Sequence, residues 1–312
     1  MIPLFTSSQI RKADEFAIKK LGIPGIVLME NAAKNIFEVI MKIFPETVNF
    51  ENIGIVCGKG NNGGDGFALA RHFLNNGFNV FVISLGKESE LKGDALTNFK
   101  ITKKIISEKS GSELIIYKNP RDLSNLFQCS LIVDAMLGTG SAGNLKEPYL
   151  TIVQFINELN SIKVAVDIPT GLDADKGSGE IVFEANLTVT LAELKKGLFF
   201  EKGYTYSGDV EKASIGIGTE YFDNLEVDDY LVEPEDAITG LPIKEININK
   251  YSGGKVLTIA GSGKFPGAAC LASSSVLKCG GGASLLAFPK SVKSIVQTKL
   301  DEVVVESYED NG

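Results

Sequence analysis

Apolar positions near the start of the chain recur every three or four residues. Ile10, Ala13, Phe16, Ala17 and Leu21 follow one another at helical spacing until Gly22, and Thr6 with Gln9 three positions on forms a capping box ahead of them. A second helix is expected from Pro24 through Met29, Ala32, Ala33, Ile36, Phe37 and Ile40 toward Pro45, with Glu30, Asn31 and Lys34 on other faces. From residue 52 the period changes. The runs NIGIVC, VFVISL, ELIIY, SLIVDAM and KVAVDIP alternate with segments long enough for helices at 65–77, 91–106 and 147–159. Strands apolar on both faces predict a parallel sheet covered on both sides, a doubly wound α/β domain. NLTVTLA and GDVEKASIGIG add further strands and close the domain at residue 218.

Glu220, Asp223, Glu226, Asp228, Asp229, Glu233, Glu235 and Asp236 then follow without an intervening Lys or Arg, which predicts a solvated acidic linker over residues 219–249. Beyond it, KVLTIAGSG, a helix over about 267–279 and GGGASLLAF predict one more strand, loop, helix and strand. One such unit in 250–312 is too small to cover both faces of a sheet.

Charge and composition narrow the function. The formal net charge of the 312 residues is -8, with the basic residues scattered, which argues against a protein built to grip nucleic acid. The single histidine, His72, is expected as a surface or boundary residue rather than a catalyst and leaves no room for a multi-histidine metal site. Cys57, Cys129, Cys270 and Cys279 show no CxxC spacing, so a reducing cytoplasm is the default. No basic leader or long apolar span marks a secreted or membrane protein.

The candidate chemistry lies at strand ends. The run Gly58-Lys59-Gly60-Asn61-Asn62-Gly63-Gly64-Asp65-Gly66 follows the first sheet strand and contains GxGxxG, but Asp65 in or beside the first helical turn would compete with a pyrophosphate for the same amides. No Lys-Ser or Lys-Thr completes a P-loop. Two readings stay open for the run: a tight turn capped by Asp65, or a site that orients a polar ring and holds a hard cation. Asp134 and Asp167 end the strands SLIVD and KVAVD, and in a parallel sheet these ends open on one edge with Asn61 to Asp65. Each is either a cap for its own loop or a partly desolvated acid fit for metal binding or proton transfer.

Residues 1–220, with SSQIRKAD, GIPGIVLMENAA, GKGNNGGDGFALAR, VDAMLGTG and AVDIPTGLDAD in order, resemble the NAD(P)H-hydrate epimerase family, whose domain is called YjeF N-terminal. The resemblance implies a Rossmann-like fold and interconversion of the R and S forms of hydrated NADH and NADPH, which carry a hydroxyl on ring carbon 6. It implies a potassium ion on Asn62, Asp134 and Thr170, the last being serine in many members. It implies substrate contacts from Asn61, Asn62, Gly63, Gly64, Asp65, Gly138, Thr139, Gly140, Ser141, Ala142, Gly143, Asn144 and Asp167. Inversion of that substrate needs proton transfer at oxygen, and Asp167 is expected to shuttle the proton while potassium and Asp134 orient the site. A homodimer is common in the family. Lys195 and Lys196 are expected as a solvated pair, with phosphate contact the lesser alternative.

Lys250-Tyr251-Ser252-Gly253-Gly254-Lys255 and VLTIAGSGKFPGAA resemble the start of the ADP- or ATP-dependent NAD(P)H-hydrate dehydratase domain, which is ribokinase-like and follows the epimerase domain in bifunctional members. The later motifs of that domain, including the glycine-rich segment with the catalytic aspartate, are not found, so no dehydratase activity is expected and ADP or ATP would serve only the missing part. Two other readings compete. A Rossmann oxidoreductase needs an acid ending the second strand, which Glu88 matches poorly, and a binding module would hold a nucleotide or a protein partner without turnover.

Overall fold

The capping box at Thr6 is formed, with the Gln9 amide N–H on the Thr6 hydroxyl and the Thr6 N–H on Gln9 Oε1. In the computed structural model of the chain, residues 1–45, 52–140, 143–240, 249–250 and 252–310 are described. The first compact unit spans Met1–Glu233 and the second Pro234–Gly312.

In chain order the first unit contains β1 (Ile2–Leu4), α1 (Ser7–Lys19), α2 (Gly25–Ile43), β2 (Asn52–Cys57), α3 (Asn61–Asn75), β3 (Asn79–Ser84), α4 (Gly93–Ser107), β4 (Glu113–Ile116), β5 (Leu131–Ala135), α5 (Tyr149–Asn157), β6 (Ile162–Val166), β7 (Leu187–Leu191), α6 (Lys202–Tyr206), β8 (Asp209–Ala213), α7 (Glu220–Asp223) and β9 (Asp229–Leu231). β2 to β8 form one sheet in the order β4-β3-β2-β5-β6-β7-β8, and every pairing is parallel. Alternate residues divide between two cores. Ile53, Ile55, Val133 and Val164 pack with Phe67, Phe73 and Phe99 under α2, α3 and α4, while Val56, Ile132 and Ala165 pack under α5 with Ile152, Val153 and Ile156. Both faces are therefore covered, which is why these strands read as continuous apolar runs. Strand order reverses between β2 and β5, so the chain leaves these two neighbours in opposite directions and opens a crevice at their C-terminal ends.

The expected domain end at 218 and the acidic linker over 219–249 differ from what is found. Residues 220–223 form α7 and residues 229–231 form β9, which pairs antiparallel with β1. The acids in this stretch alternate with apolar residues that the one-sign charge obscured. Phe222 is buried edge-on to Phe5 at 5.3 Å, and Tyr221 packs on Phe16. Residues 241–248 of the expected linker lie outside the described residues.

The second unit contains α8 (Pro234–Gly240), β10 (Lys255–Ile259), α9 (Pro266–Lys278), β11 (Ala283–Pro289), α10 (Lys293–Lys299) and β12 (Val304–Tyr308). Its described residues hold two crossovers rather than the single one expected, because Val304 and Val305 begin a third parallel strand. Ala269, Phe288, Val292 and Val296 form a core, while Leu257, Ile259 and Val304 remain exposed.

Candidate functional site

The glycine run does more packing than loop making. α3 begins at Asn61, four residues earlier than the apolar period suggests, with Gly60 as an N-cap that has no side chain to offer. A Cβ on Gly58 would land on the Met136 carbonyl, and one on Gly63 would land on the Gly58 carbonyl, so both positions are closed to larger residues. The result draws the start of α3 against the loop after β5. Asp65 consequently sits in the second turn, not in or beside the first, and it does not compete for the first-turn amides. Gly63 and Gly64 lie on the buried side of α3, Gly64 against Met29, and are not among the residues that line the crevice.

A cavity of about 550 Å³ occupies the crevice, a size suited to a small ligand. Asn61, Asn62, Asp65, Gly138, Thr139, Gly140 and Asp167 line it, as do Asp14 and Arg11 of α1, Met29 of α2 and Lys59. Gly143 and Asn144 line an adjoining cavity of about 870 Å³ with Lys146 and Lys176, and the two cavities share Leu137, Gly140 and Tyr149 as wall. Ser141 and Ala142 lie outside the described residues.

Asp134 and Thr170 meet below this cavity. Asp134 is fully buried, its Oδ1 accepting from the Met136 N–H and the Thr170 hydroxyl at 2.8 Å, and its Oδ2 accepting from the Thr170 N–H at 2.8 Å. Thr170 Oγ1 in turn accepts from the Leu137 N–H, while Asn62 donates Nδ2 to the Leu137 carbonyl at 3.0 Å. The three expected cation ligands are thus joined through one loop. Burial pushes Asp134 up to about 6, and the two N–H donors and the hydroxyl oppose that rise. No Lys or Arg is bonded to it among the described residues. A buried carboxylate beside a hydroxyl and an amide oxygen is a donor set that suits a hard monovalent cation.

Asp167 is held differently. It has a φ of 69°, a left-handed conformation that a non-glycine residue adopts at a cost of about 1–3 kcal/mol. Its Oδ1 accepts from Lys195 Nζ at 2.5 Å and from the Leu191 N–H at 3.2 Å. Lys195 is fully buried and also donates to Thr190 Oγ1 and the Leu191 carbonyl, so the expectation of a solvated pair fails for this lysine. The cause is tertiary: Phe5 bridges to the 194–196 segment, donating its N–H to Leu194 O and accepting from Lys196 N–H, and this closes Lys195 over. Lys196 stays partly exposed and pairs with Asp229 at 3.2 Å. His72 donates or accepts against Glu30 at 3.0 Å, with Phe37 stacked on it, away from the cavity lining.

The sequence reading missed Asp14. Its signal is its place between Ile10 and Ala17 on the buried stripe of α1, where a carboxylate has no structural use. It missed Asp175 too, whose oxygens accept from Ser7 N–H at 2.6 Å and Ser7 Oγ at 2.8 Å, tying the start of α1 to the loop after β6. Burial raises Asp14 to about 6 against the pull of Lys195, with Asp167 adding to the rise. Asp65 is raised well above the usual carboxylate range by burial first and then by Asp167 and Asp14.

The chain is similar to a bifunctional NAD(P)H-hydrate repair enzyme Nnr of Moorella thermoacetica, at 36% identity over 97% of this chain and 57% of that one. It is similar to an NAD(P)H-hydrate epimerase of Rhodopirellula baltica, at 37% identity over 72% of this chain and 89% of that one. It therefore spans a little over half the length of the bifunctional relative. The crystal structure of yeast ynu0, YNL200c, shares the fold with a TM-score of 0.59 at 22% identity, over 73% of this chain and 96% of that one. The profile described as YjeF-related protein N-terminus matches residues 25–197, the stretch that builds β2 to β7 and both strand-end aspartates, and the chain belongs to that family.

Proposed function

We propose that the first unit is an NAD(P)H-hydrate epimerase that inverts ring carbon 6 of hydrated NADH and NADPH, as part of nicotinamide nucleotide repair in the cytoplasm. The observation that carries this reading is Asp167, set at a positive φ against a buried ammonium and lining the cavity at the switch point. Inversion at carbon 6 needs a proton moved at the ring hydroxyl and no hydride acceptor, and a positioned carboxylate supplies that. Lys195 orients Asp167, and the amides and side chains of Asn61, Asn62, Thr139 and Gly140 would hold the ring and its phosphates. The two lysines at the adjoining cavity, Lys146 and Lys176, suit the far end of the dinucleotide.

Potassium would sit on Asn62, Asp134 and Thr170. When bound it supplies a fixed positive charge that offsets the buried Asp134 carboxylate.

The test is chiral chromatography of purified R and S hydrates. Asp167→Asn is expected to slow interconversion at least about 100-fold, measured under conditions where circular dichroism shows the variant folded, since the change also leaves the buried Lys195 ammonium without its counter-charge. A variant that interconverts them at the wild-type rate would refute the role of Asp167, and wild-type protein that binds the hydrates without interconverting them would favour a binding module.

A further inference from the structure

The cavity walls carry four carboxylates, Asp14, Asp65, Asp94 and Asp167, with Arg11 and Lys59 as the cationic side chains of the lining, and behind Asp167 stands the buried ammonium of Lys195. Asp65 is 7% exposed and lines the cavity, and its side chain has no hydrogen bond or ion pair to another described residue. A buried polar group left without a protein partner in a cavity points to a ligand that supplies one. Around them stand Leu28, Met29, Met136 and Leu191, so the charges act through poorly screening surroundings. α1 is pinned at this place by Asp175 on Ser7 and by the bridge from Phe5 to Lys195, which makes Asp14 part of the site although it precedes the matched stretch of residues 25–197.

Two routes invert carbon 6. In one, the bond from carbon 6 to N1 opens to a carbonyl and recloses on the other face, and the oxygen is kept. In the other, the hydroxyl takes a proton, the C6–O bond breaks with its electron pair leaving on water, and the N1 lone pair forms C6=N1. Water then adds to the opposite face, its electron pair making the new C6–O bond while the C6=N1 pair returns to N1, and a proton is released. The second route passes through a cation, and the Asp167 carboxylate, with one oxygen left open to the cavity, can stabilise developing positive charge there.

Resting on the epimerase reading, we propose that inversion runs by loss and return of water through the C6=N1 cation, with Asp14 as a second proton-transfer group beside Asp167. One carboxyl gives the proton with which the hydroxyl leaves, and the other takes the proton of the returning water. One conversion moves a single proton from one carboxyl to the other, and the reverse conversion or exchange with solvent restores it. The raised protonation range of Asp14 and Asp65 fits carboxyls that hold a proton near neutral pH.

The experiment is epimerisation of one purified hydrate in oxygen-18 water, read by chiral chromatography and mass spectrometry. Wild-type protein is expected to place label in every inverted molecule. Asp14→Asn is expected to lose at least about 100-fold in inversion while still exchanging oxygen in one epimer, and Asp167→Asn to exchange oxygen only in the other. Asp14→Glu, which restores the carboxyl, should recover part of the inversion. Inversion without label overturns the cationic route. Asp14→Asn that inverts within about threefold of wild type, or that loses exchange in both epimers together, overturns the role of Asp14. Wild-type protein that inverts neither hydrate overturns the epimerase reading itself, and the proposal with it.

Discussion

Asp134 and Asp167 end neighbouring strands, β5 and β6, and both are nearly or fully buried. Asp134 gives both oxygens to its own surroundings, two backbone N–H groups and the Thr170 hydroxyl, and lies beneath the cavity. Asp167, one strand over, takes an ammonium and one amide on a single oxygen, sits in an unfavourable backbone conformation, and lines the cavity. The chemistry available to a strand-end carboxylate is thus set by which groups take its oxygens. One corner is closed by amides and suits a resident cation, and the other keeps an oxygen for a passing ligand.

The largest effect is expected from Lys195→Met. It leaves the Asp167 carboxylate buried without a counter-charge and should cost about 3–5 kcal/mol in urea unfolding at neutral pH. A loss under about 1 kcal/mol would mean that the cavity corner does not depend on the pair. Thr170→Val strikes the other corner. It removes one donor to Asp134 and the acceptor for the Leu137 N–H, with an expected loss of about 1–3 kcal/mol, and it should abolish the difference in epimerase rate between potassium and choline buffers. Thr170→Ser keeps the oxygen and should leave both readings near wild type; equal damage from Ser would show that the methyl, not the hydroxyl, matters. The smallest effect is expected from Lys196→Ala, under about 1 kcal/mol, because its ion pair with Asp229 is partly exposed. A loss as large as that of Lys195→Met would erase the contrast between the two lysines.

Most of the large sheet was legible because burial on both faces leaves an unbroken apolar run, as in NIGIVC and LIVDA. Convergence of Asn62, Asp134 and Asp167 was legible too, since parallel strands end on one edge, whereas Thr170 was expected there only from the family resemblance. The start of α3 was not, because Asn61-Asn62-Gly63-Gly64 is a poor helix former and only close packing on Gly58 and Met136 makes it helical. Lys195 and Lys196 are equivalent in sequence, and their difference arises from Phe5, which lies almost the whole unit away along the chain. The strap of α7 and β9 was hidden by its charge, since Phe222, Leu225 and Val227 make too short an apolar signal among the acids.

The pairing of β1 with β9 sets Ile2 opposite Leu231 and Leu4 opposite Asp229. The two ends of the first unit are consequently neighbours joined by backbone hydrogen bonds. Such a unit can be set into a loop of a host protein, or cut elsewhere and rejoined at Met1 and Glu233, with little stretch imposed on its crevice. A pull applied between those two ends would have to unzip β1 from β9 first, and from the β1 side it would then load the bridge from Phe5 to the Lys195 segment that holds α1 at the crevice.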